Sequence, residues 1–174
     1  MKTKDIKQLI RDIPNFPKQG IIFKDITPVL KNYDAMKFVT KKIAGYFKNK
    51  NVKKVVSMES RGFIFGGILS QVLKCGFVPV RKKGKLPYKT ISIEYSLEYG
   101  TDILEIHEDA IEEGENVLII DDVLATGGTA EAVINLIKKC NGNVVGLGFL
   151  IELSFLNPRE KLKGQDIYSL IKYK

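Results

Sequence analysis

The sequence has no tryptophan, one histidine and two cysteines, and these shortages exclude several kinds of site. Cys75 and Cys140 lie far apart and outside any Cys-x-x-Cys pair, and His107 is the single histidine. A disulfide framework needs several paired cysteines, and a structural zinc ion needs a cluster of Cys and His ligands. We therefore expect two reduced cysteines, a structural role for His107 and no zinc site.

Long apolar runs are also missing from the chain. No stretch approaches the roughly 18 consecutive apolar residues of a membrane-spanning helix. The first residues, Met1 to Asp5, continue into an amphipathic stretch instead of the apolar core of a signal peptide. The sequence therefore predicts a cytoplasmic protein without a membrane partner.

Arginine is scarce in a chain that is otherwise strongly basic. The net charge is +8 and 28 residues are Lys or Arg, yet arginine occurs only at positions 11, 61, 81 and 159. Proteins that read nucleic acids favour arginine, because its guanidinium makes bidentate contacts. We therefore expect no nucleic-acid partner, and we interpret the charge as solvated lysine faces or as attraction for an anionic small substrate.

The remaining composition is that of an ordinary globular domain. Hydrophobic residues make up 44% of the 174 residues and charged residues 28%, so residues 1–174 are expected to form a single domain around one core. Apolar periodicity predicts helices at Thr3 to Ile13, from a cap at Asp34 onward with Tyr46 facing inward, at Phe63 to Lys74 and at Thr129 to Cys140. It predicts strands at Ile21 to Phe23, Val52 to Met58, Phe77 to Arg81, Asn116 to Ile120 and Asn143 to Leu150.

The order of these elements indicates the fold class. Strands alternating with helices are typical of an α/β fold with a mainly parallel, twisted sheet and helices on both faces. Two segments interrupt this rhythm, because Thr90 to Tyr95 and Ile103 to His107 alternate like an exposed two-strand excursion.

The segment from Asp121 to Thr129 carries the clearest chemical signal. Its two carboxylates follow a buried strand, and a loop of small residues then opens a helix. Open parallel sheets bind ligands beyond the carboxyl ends of their strands, and the free amides of a helix N-terminus attract phosphate. Gly127 and Gly128 allow close backbone approach, while carboxylates accept hydrogen bonds from sugar hydroxyls.

The segment therefore predicts a site for a phosphorylated ribose. The alternative is a capping turn without a ligand, which explains each residue singly but not their joint order. Other phosphate loops do not fit, because GxxxxGK[ST] is absent and the third glycine of GxGxxG would fall at Ile151.

This loop resembles the phosphoribosyl pyrophosphate motif of the type I phosphoribosyltransferases, and further segments narrow the resemblance to the adenine phosphoribosyltransferases. The similarity spans nearly the whole chain, with the family's motifs in the family's order. The additional matching segments are Asn15 to Pro17 with Gly20 to Pro28, Glu59 to Phe63, Arg81 to Pro87 and Tyr95 to Gly100. The departures are the basic net charge and Pro158, which stands where a glycine is more familiar in the family.

The resemblance implies a purine-salvage enzyme. Such an enzyme converts adenine and 5-phosphoribosyl 1-pyrophosphate to AMP and pyrophosphate, with Mg²⁺ held mainly through the pyrophosphate substrate. It also implies a type I phosphoribosyltransferase fold with an N-terminal hood over residues 1–33, a flexible two-strand catalytic loop and a homodimer. Arg81 of one subunit would complete the pyrophosphate site of the other.

The resemblance further implies a role for individual residues. Glu98 is the expected general acid/base, and the peptide bond between Glu59 and Ser60 is expected to be cis. The ribose phosphate is assigned to Asp121, Asp122, Ala125, Thr126, Gly127, Gly128 and Thr129. The pyrophosphate is assigned to Glu59, Ser60, Arg61, Arg81, Lys82, Lys85 and Tyr99, and adenine to Ile22, Phe23, Lys24 and Leu153.

Several alternatives stay open at this point. From the residues alone, Glu98 would be interpreted as a surface residue and Phe23 as a core residue. The basic loop from Lys82 to Lys85 would be interpreted as a solvated loop. A phosphoribosyltransferase for a 6-oxopurine such as xanthine or hypoxanthine would share the ribose-phosphate loop. A non-catalytic purine-sensing regulator of the same fold would also share it, but should carry an additional DNA-binding domain.

Overall fold

The computed structural model of the protein describes residues 1–96 and 100–174. The helices are α1 Thr3–Leu9, α2 Thr27–Leu30, α3 Tyr33–Phe47, α4 Gly62–Leu73 and α5 Gly128–Lys139, with 3-10 turns at Ser154–Leu156 and Pro158–Glu160. The strands are β1 Arg11–Pro14, β2 Ile22–Asp25, β3 Lys54–Met58, β4 Gly76–Lys82, β5 Thr90–Ser96, β6 Thr101–His107, β7 Asn116–Leu124, β8 Asn143–Leu153 and β9 Ile167–Tyr173.

Seven of the strands form one sheet in the order β5-β6-β4-β3-β7-β8-β9. From β4 to β9 every neighbouring pair runs parallel, whereas β6 pairs antiparallel with both β4 and β5. Strands β1 and β2 form a separate antiparallel hairpin. The predicted α/β fold with a mainly parallel sheet is confirmed.

Strand β7 shows why helices cover both faces of this sheet. Successive side chains of a strand point to opposite faces. Val117 and Ile119 pack in the cluster that contains α5, while Leu118 and Ile120 pack in the cluster that contains α3 and α4. A run of four apolar residues is thus buried from both sides, as is typical of a central parallel strand.

The N-terminal segment differs from its prediction. The predicted helix from Thr3 to Ile13 is wrong beyond Leu9, because β1 begins at Arg11 and pairs with β2. Two cross-strand ion pairs support this hairpin, from the Arg11 guanidinium to Asp25 and from Lys24 Nζ to Asp12, each at 2.6 Å. Ile10 and Ile13 are spaced as on a helix face, but a segment this short does not distinguish a helix from a strand by spacing alone.

Helix α3 corrects two further predictions. Asn32, not Asp34, caps its N-terminus, because the Asn32 side chain accepts a hydrogen bond from the Ala35 amide at 3.0 Å. Tyr46 was expected to face inward but is exposed. Its hydroxyl donates a hydrogen bond to Asp166 Oδ1 at 2.7 Å.

The predicted two-strand excursion is present but is not an exposed flap along its whole length. Strand β6 joins the main sheet beside β4, and its Leu104 and Ile106 side chains are buried with those of α5. Strand β9 was not predicted at all. Within the described residues, no helix combines the length and apolar character that crossing a membrane requires.

Candidate active site

The candidate site lies where β3, β7 and β8 end. These strands are parallel neighbours, so their carboxyl ends meet at one edge of the sheet. The turn at residues 59–61 follows β3, the acidic pair and the small-residue loop lie at the end of β7, and Leu153 ends β8. This edge is the usual ligand-binding position of an open parallel sheet.

The acidic pair lies inside β7, not after it as predicted. The strand continues to Leu124, since Val123 and Leu124 still pair with β8. Burial raises the pKa of Asp121 well above its ordinary value, and the neighbouring Asp122 carboxylate raises it further. Burial also raises the pKa of Asp122, and the Arg61 guanidinium acts in the opposite direction.

The Arg61 guanidinium supplies a positive charge to this pair of carboxyls, of which Asp122 is buried and Asp121 is partly buried. Its Nε lies 2.8 Å from Asp122 Oδ2, an ion pair that lacks the alignment of a hydrogen bond. Within the pair, the Asp122 amide donates to Asp121 Oδ1 at 2.8 Å.

Gly127 shapes the loop that follows. Its φ is +85°, and a Cβ at this position would lie 2.8 Å from the Pro158 carbonyl oxygen. A side chain is therefore excluded both by backbone conformation and by space. Gly127 is also the N-cap of α5, whose twelve residues begin at Gly128. A cavity beside this N-terminus is lined by residues that include Asp121, Ala125, Thr126, Gly127 and Thr129.

The segment after β3 holds the basic residues of the site in place. The peptide bond between Glu59 and Ser60 is cis, which confirms the expectation. Glu59 accepts hydrogen bonds from Arg81 Nε at 2.9 Å and from the Lys82 amide at 2.8 Å. Burial acts to raise the pKa of Glu59, but these two hydrogen bonds and the charges of Arg81 and Lys85 together lower it. Arg81 also donates to the Lys85 carbonyl at 3.1 Å.

One cleft joins the two predicted groups of residues. It has a volume of about 300 Å³ and contains residues assigned to the ribose and to the pyrophosphate. Its lining includes Glu59, Ser60, Arg61, Lys82, Asp121, Asp122 and Thr129. Tyr95 from β5 also lines it, and burial raises the pKa of the Tyr95 hydroxyl while the neighbouring Thr129 acts to lower it.

The residues assigned to adenine lie on β2 and at the end of β8. The Arg61 guanidinium lies 4.9 Å from the centre of the Phe23 ring, which connects β2 to the cleft. Ile22 is exposed, and Leu153 is partly buried. The Lys24 side chain points elsewhere, with Nζ on Asp12 and 4.1 Å from the Tyr173 ring centre, so only the Lys24 backbone is available to a base.

Two predicted residues, Glu98 and Tyr99, lie outside the described residues. Asp102, in contrast, was not predicted. Its Oδ2 lies 2.9 Å from Lys82 Nζ. No local sequence pattern marks this aspartate, because only the pairing of β6 with β4 and β5 brings it to the basic loop.

Glu152 and Arg159 were also missed. Glu152 is 2% exposed on β8 and accepts hydrogen bonds from Arg159 Nε at 2.9 Å and Nη2 at 2.8 Å. Arg159 lowers the pKa of Glu152 to about 2, although burial acts to raise it. The pair anchors the 3-10 turn Pro158–Glu160, whose first residue contacts Gly127.

Comparison with known proteins gives a consistent picture. The chain matches the model of the phosphoribosyl transferase domain over residues 24–170. It is 57% identical over 169 residues to an adenine phosphoribosyltransferase of Thermotoga sp. (strain RQ2), covering 97% of this chain and 99% of that relative. It is 55% identical to an adenine phosphoribosyltransferase of Methanococcus vannielii, covering 97% of this chain and 98% of that relative.

Solved structures agree with these relatives. The crystal structure of adenine phosphoribosyltransferase from Thermoanaerobacter pseudethanolicus has a TM-score of 0.96 and 52% identity, covering 99% of this chain and all (100%) of that one. The Saccharomyces cerevisiae enzyme, complexed with an imino-altritol bisphosphate and adenine, has a TM-score of 0.91 and 38% identity, with 97% of each chain covered.

Proposed function

Because this chain belongs to the adenine phosphoribosyltransferase family, we propose that it transfers the ribosyl group of 5-phosphoribosyl 1-pyrophosphate to adenine. The products are AMP and pyrophosphate. The observation that carries the proposal is the single cleft that contains the acidic pair, the N-terminal turn of α5 and two basic side chains, Arg61 and Lys82. These groups match the charges of a ribose with a phosphate at one end and a pyrophosphate at the other.

The ribose phosphate would bind between β7 and α5. The amides of the first turn of α5 and the hydroxyls of Thr126 and Thr129 are donors for the phosphate. Asp121 and Asp122 supply acceptors for the ribose hydroxyls. These carboxylates also favour a ribosyl carbon that becomes cationic as its bond to pyrophosphate breaks.

The leaving pyrophosphate would contact the basic side of the cleft. Arg61, Arg81, Lys82 and Lys85 supply positive charge, and the backbone of residues 59–61 supplies amides. Stabilising the charge that develops on the departing group lowers the barrier to bond breaking. Glu98 is proposed to exchange a proton with adenine, and Tyr99 to line the closed site.

Adenine would stack on Phe23, with Leu153 on its other face and hydrogen bonds to the backbone of Ile22 and Lys24. The Arg61 guanidinium lies 4.9 Å from the centre of the Phe23 ring. We infer that Arg61 turns toward the pyrophosphate when the substrates bind, because the guanidinium and the base would compete for that ring.

The proposal includes Mg²⁺ as a cofactor. Two carboxylates of the cleft, Glu59 and Asp122, already pair with arginines. Among the described residues, no three His, Cys, Asp or Glu side chains come together as metal ligands. This donor set fits an ion whose ligands come mainly from the oxygens of the substrate, where it would neutralise charge on the pyrophosphate. The cytoplasmic location expected from the sequence stays a prediction.

We also propose a homodimer through the outer face of α4. Ile64, Ile68 and Val72 recur every four residues on this helix and are exposed to 42%, 38% and 52% of their surface. A contiguous exposed apolar stripe is characteristic of an interface. Arg81 pairs with Glu59 of its own chain, and its contribution to the partner's site stays a prediction.

A substrate comparison tests the function. The purified protein is given phosphoribosyl pyrophosphate and Mg²⁺ with adenine, hypoxanthine, guanine or xanthine, and nucleotide formation is followed by absorbance. We expect turnover with adenine only. Turnover with xanthine or hypoxanthine in its place would favour the 6-oxopurine enzyme, and binding without turnover would favour the purine-sensing regulator.

A further inference from the structure

Three of the four basic side chains assigned to the pyrophosphate, those of Arg61, Arg81 and Lys82, are paired with carboxylates. Arg61 pairs with Asp122 at 2.8 Å and Arg81 with Glu59 at 2.9 Å. Lys82 pairs with a third carboxylate, Asp102, at 2.9 Å. Glu59 and Asp122 belong to the proposed site, whereas Asp102 has no role in the function proposed above.

The Asp102 carboxylate is fixed by its own strand. Its Oδ1 accepts a hydrogen bond from the Ile103 amide at 2.8 Å, which leaves Oδ2 directed at Lys82 Nζ. The two side chains differ in exposure, since Asp102 is 22% exposed and Lys82 is 60% exposed. The Asp102 carboxylate is therefore held in place, whereas the long Lys82 side chain can move from this carboxylate to another anion.

Both a carboxylate and a pyrophosphate bind an ammonium group through charge and hydrogen bonds from the same three N–H donors. Lys82 also lines the cleft that contains other residues proposed to bind the pyrophosphate. When pyrophosphate arrives, Lys82 must give up part of its contact with Asp102. When pyrophosphate leaves, the ion pair between Lys82 and Asp102 can form again.

Resting on the proposed function, we propose that Asp102 is a positioning residue that competes with pyrophosphate for Lys82. It holds the lysine at the edge of the cleft before substrate binds. It also lowers the affinity of the site for the pyrophosphate product. Asp102 therefore acts through Lys82 and does not contact the reacting atoms.

The test is direct binding of inorganic pyrophosphate to Asp102→Asn, measured by isothermal titration calorimetry at a fixed Mg²⁺ concentration. Asparagine keeps the acceptor for the Ile103 amide and replaces the charged oxygen that faces Lys82 by a neutral amide group. Because partly exposed ion pairs contribute modestly, we expect the Kd of pyrophosphate to fall by about two- to fivefold. The same factor should appear in product inhibition by pyrophosphate, and it should shrink as salt is added.

The matched control is Glu108→Gln. Glu108 follows the same strand and pairs with Lys89 at 3.7 Å, and both side chains are well exposed, at 43% and 73%. The substitution changes the net charge by the same amount without touching Lys82. We expect an unchanged Kd for pyrophosphate. An equal tightening in Glu108→Gln would show a general charge effect and would overturn the role of Asp102.

A second test removes Lys82, so that an effect that acts through this lysine can be distinguished from a general effect of charge. In Lys82→Met, the Asp102→Asn change should no longer tighten pyrophosphate binding, because the lysine for which the anions compete is gone. Persistent tightening would overturn the proposal. An unaltered Kd in Asp102→Asn alone would overturn it while leaving the pyrophosphate subsite intact. Absence of pyrophosphate binding to the unmodified protein would overturn the subsite as well.

Discussion

Removing the charge of Glu152 should destabilise the protein by an amount that depends on pH. This carboxylate is 2% exposed and is bound by two nitrogen atoms of Arg159, at 2.9 and 2.8 Å. Its pKa falls from an ordinary 4.5 to about 2. Each pKa unit corresponds to about 1.4 kcal/mol, so the ionised carboxylate contributes about 3 kcal/mol to the free energy of unfolding near neutral pH.

The sign of the pH dependence follows from the direction of this change. The folded-state pKa of Glu152 lies below the unfolded one, so its contribution is fully present above about pH 4.5. As the pH falls from about 4.5 toward about 2, the carboxylate of the folded protein takes up a proton and the contribution is lost. At pH 3 about 1.4 kcal/mol should remain.

The experiment compares Glu152→Gln with the unmodified protein by urea unfolding at pH 7, 5, 4 and 3. We expect a loss of about 2 to 3 kcal/mol at pH 7, somewhat below the full value because Arg159 is 42% exposed and can be hydrated when its partner is neutral. Glu160→Gln is the matched control, since Glu160 is exposed on the same 3-10 turn. It should change the free energy of unfolding by no more than about 0.5 kcal/mol.

Two results would refute this reasoning. One is a Glu152→Gln protein as stable as its Glu160→Gln control at pH 7. The other is a stability difference that stays constant between pH 7 and pH 3, which would show that the loss comes from packing and not from the charge of Glu152.

Three further predictions concern the site and the assembly. The double change Asp121→Asn and Asp122→Asn should lower kcat/KM for phosphoribosyl pyrophosphate by about 10²-fold or more with the far-ultraviolet circular dichroism retained, and normal kinetics would contradict the ribose assignment. Glu98→Gln should lower kcat by about 10²-fold in single-turnover assays with little change in the KM of phosphoribosyl pyrophosphate, and near-normal chemistry would assign the proton to another group. Ile68→Lys should convert the proposed homodimer to monomer in sedimentation velocity, because it places a charge in an apolar interface, and an unchanged dimer would exclude this face.

The central sheet could be predicted because its signal is local. Val117 to Ile120 form a continuous apolar run, which is what a strand buried on both faces requires, and the glycines that follow mark the turn into α5. The acidic pair was located by the same reasoning. What the pattern could not give was the end of β7, because pairing with β8 extends it to Leu124 past two charged residues.

The missed features depend on partners that are distant in the sequence. Residues 11–14 become a strand because β2 is available to pair with them. Strand β9 mixes apolar and polar residues without a clear alternation, so its partner β8 determines its conformation. Asp102 reaches Lys82 only through the register of β6, and no pattern within either segment contains that information.

The contact between Gly127 and Pro158 restricts which amino acids can stand at one of these two positions more than at the other. The atoms of residue 158 that lie nearest to residue 127 are backbone atoms, with the carbonyl oxygen first, and every amino acid possesses them. Exchanging glycine and proline at residue 158 would therefore leave the carbonyl oxygen that faces the loop in place. At residue 127, in contrast, any Cβ would lie 2.8 Å from that oxygen, and the φ of +85° is a backbone conformation that residues with a side chain rarely adopt. The contact thus restricts residue 127 to glycine, whereas it sets no such restriction on the side chain of residue 158.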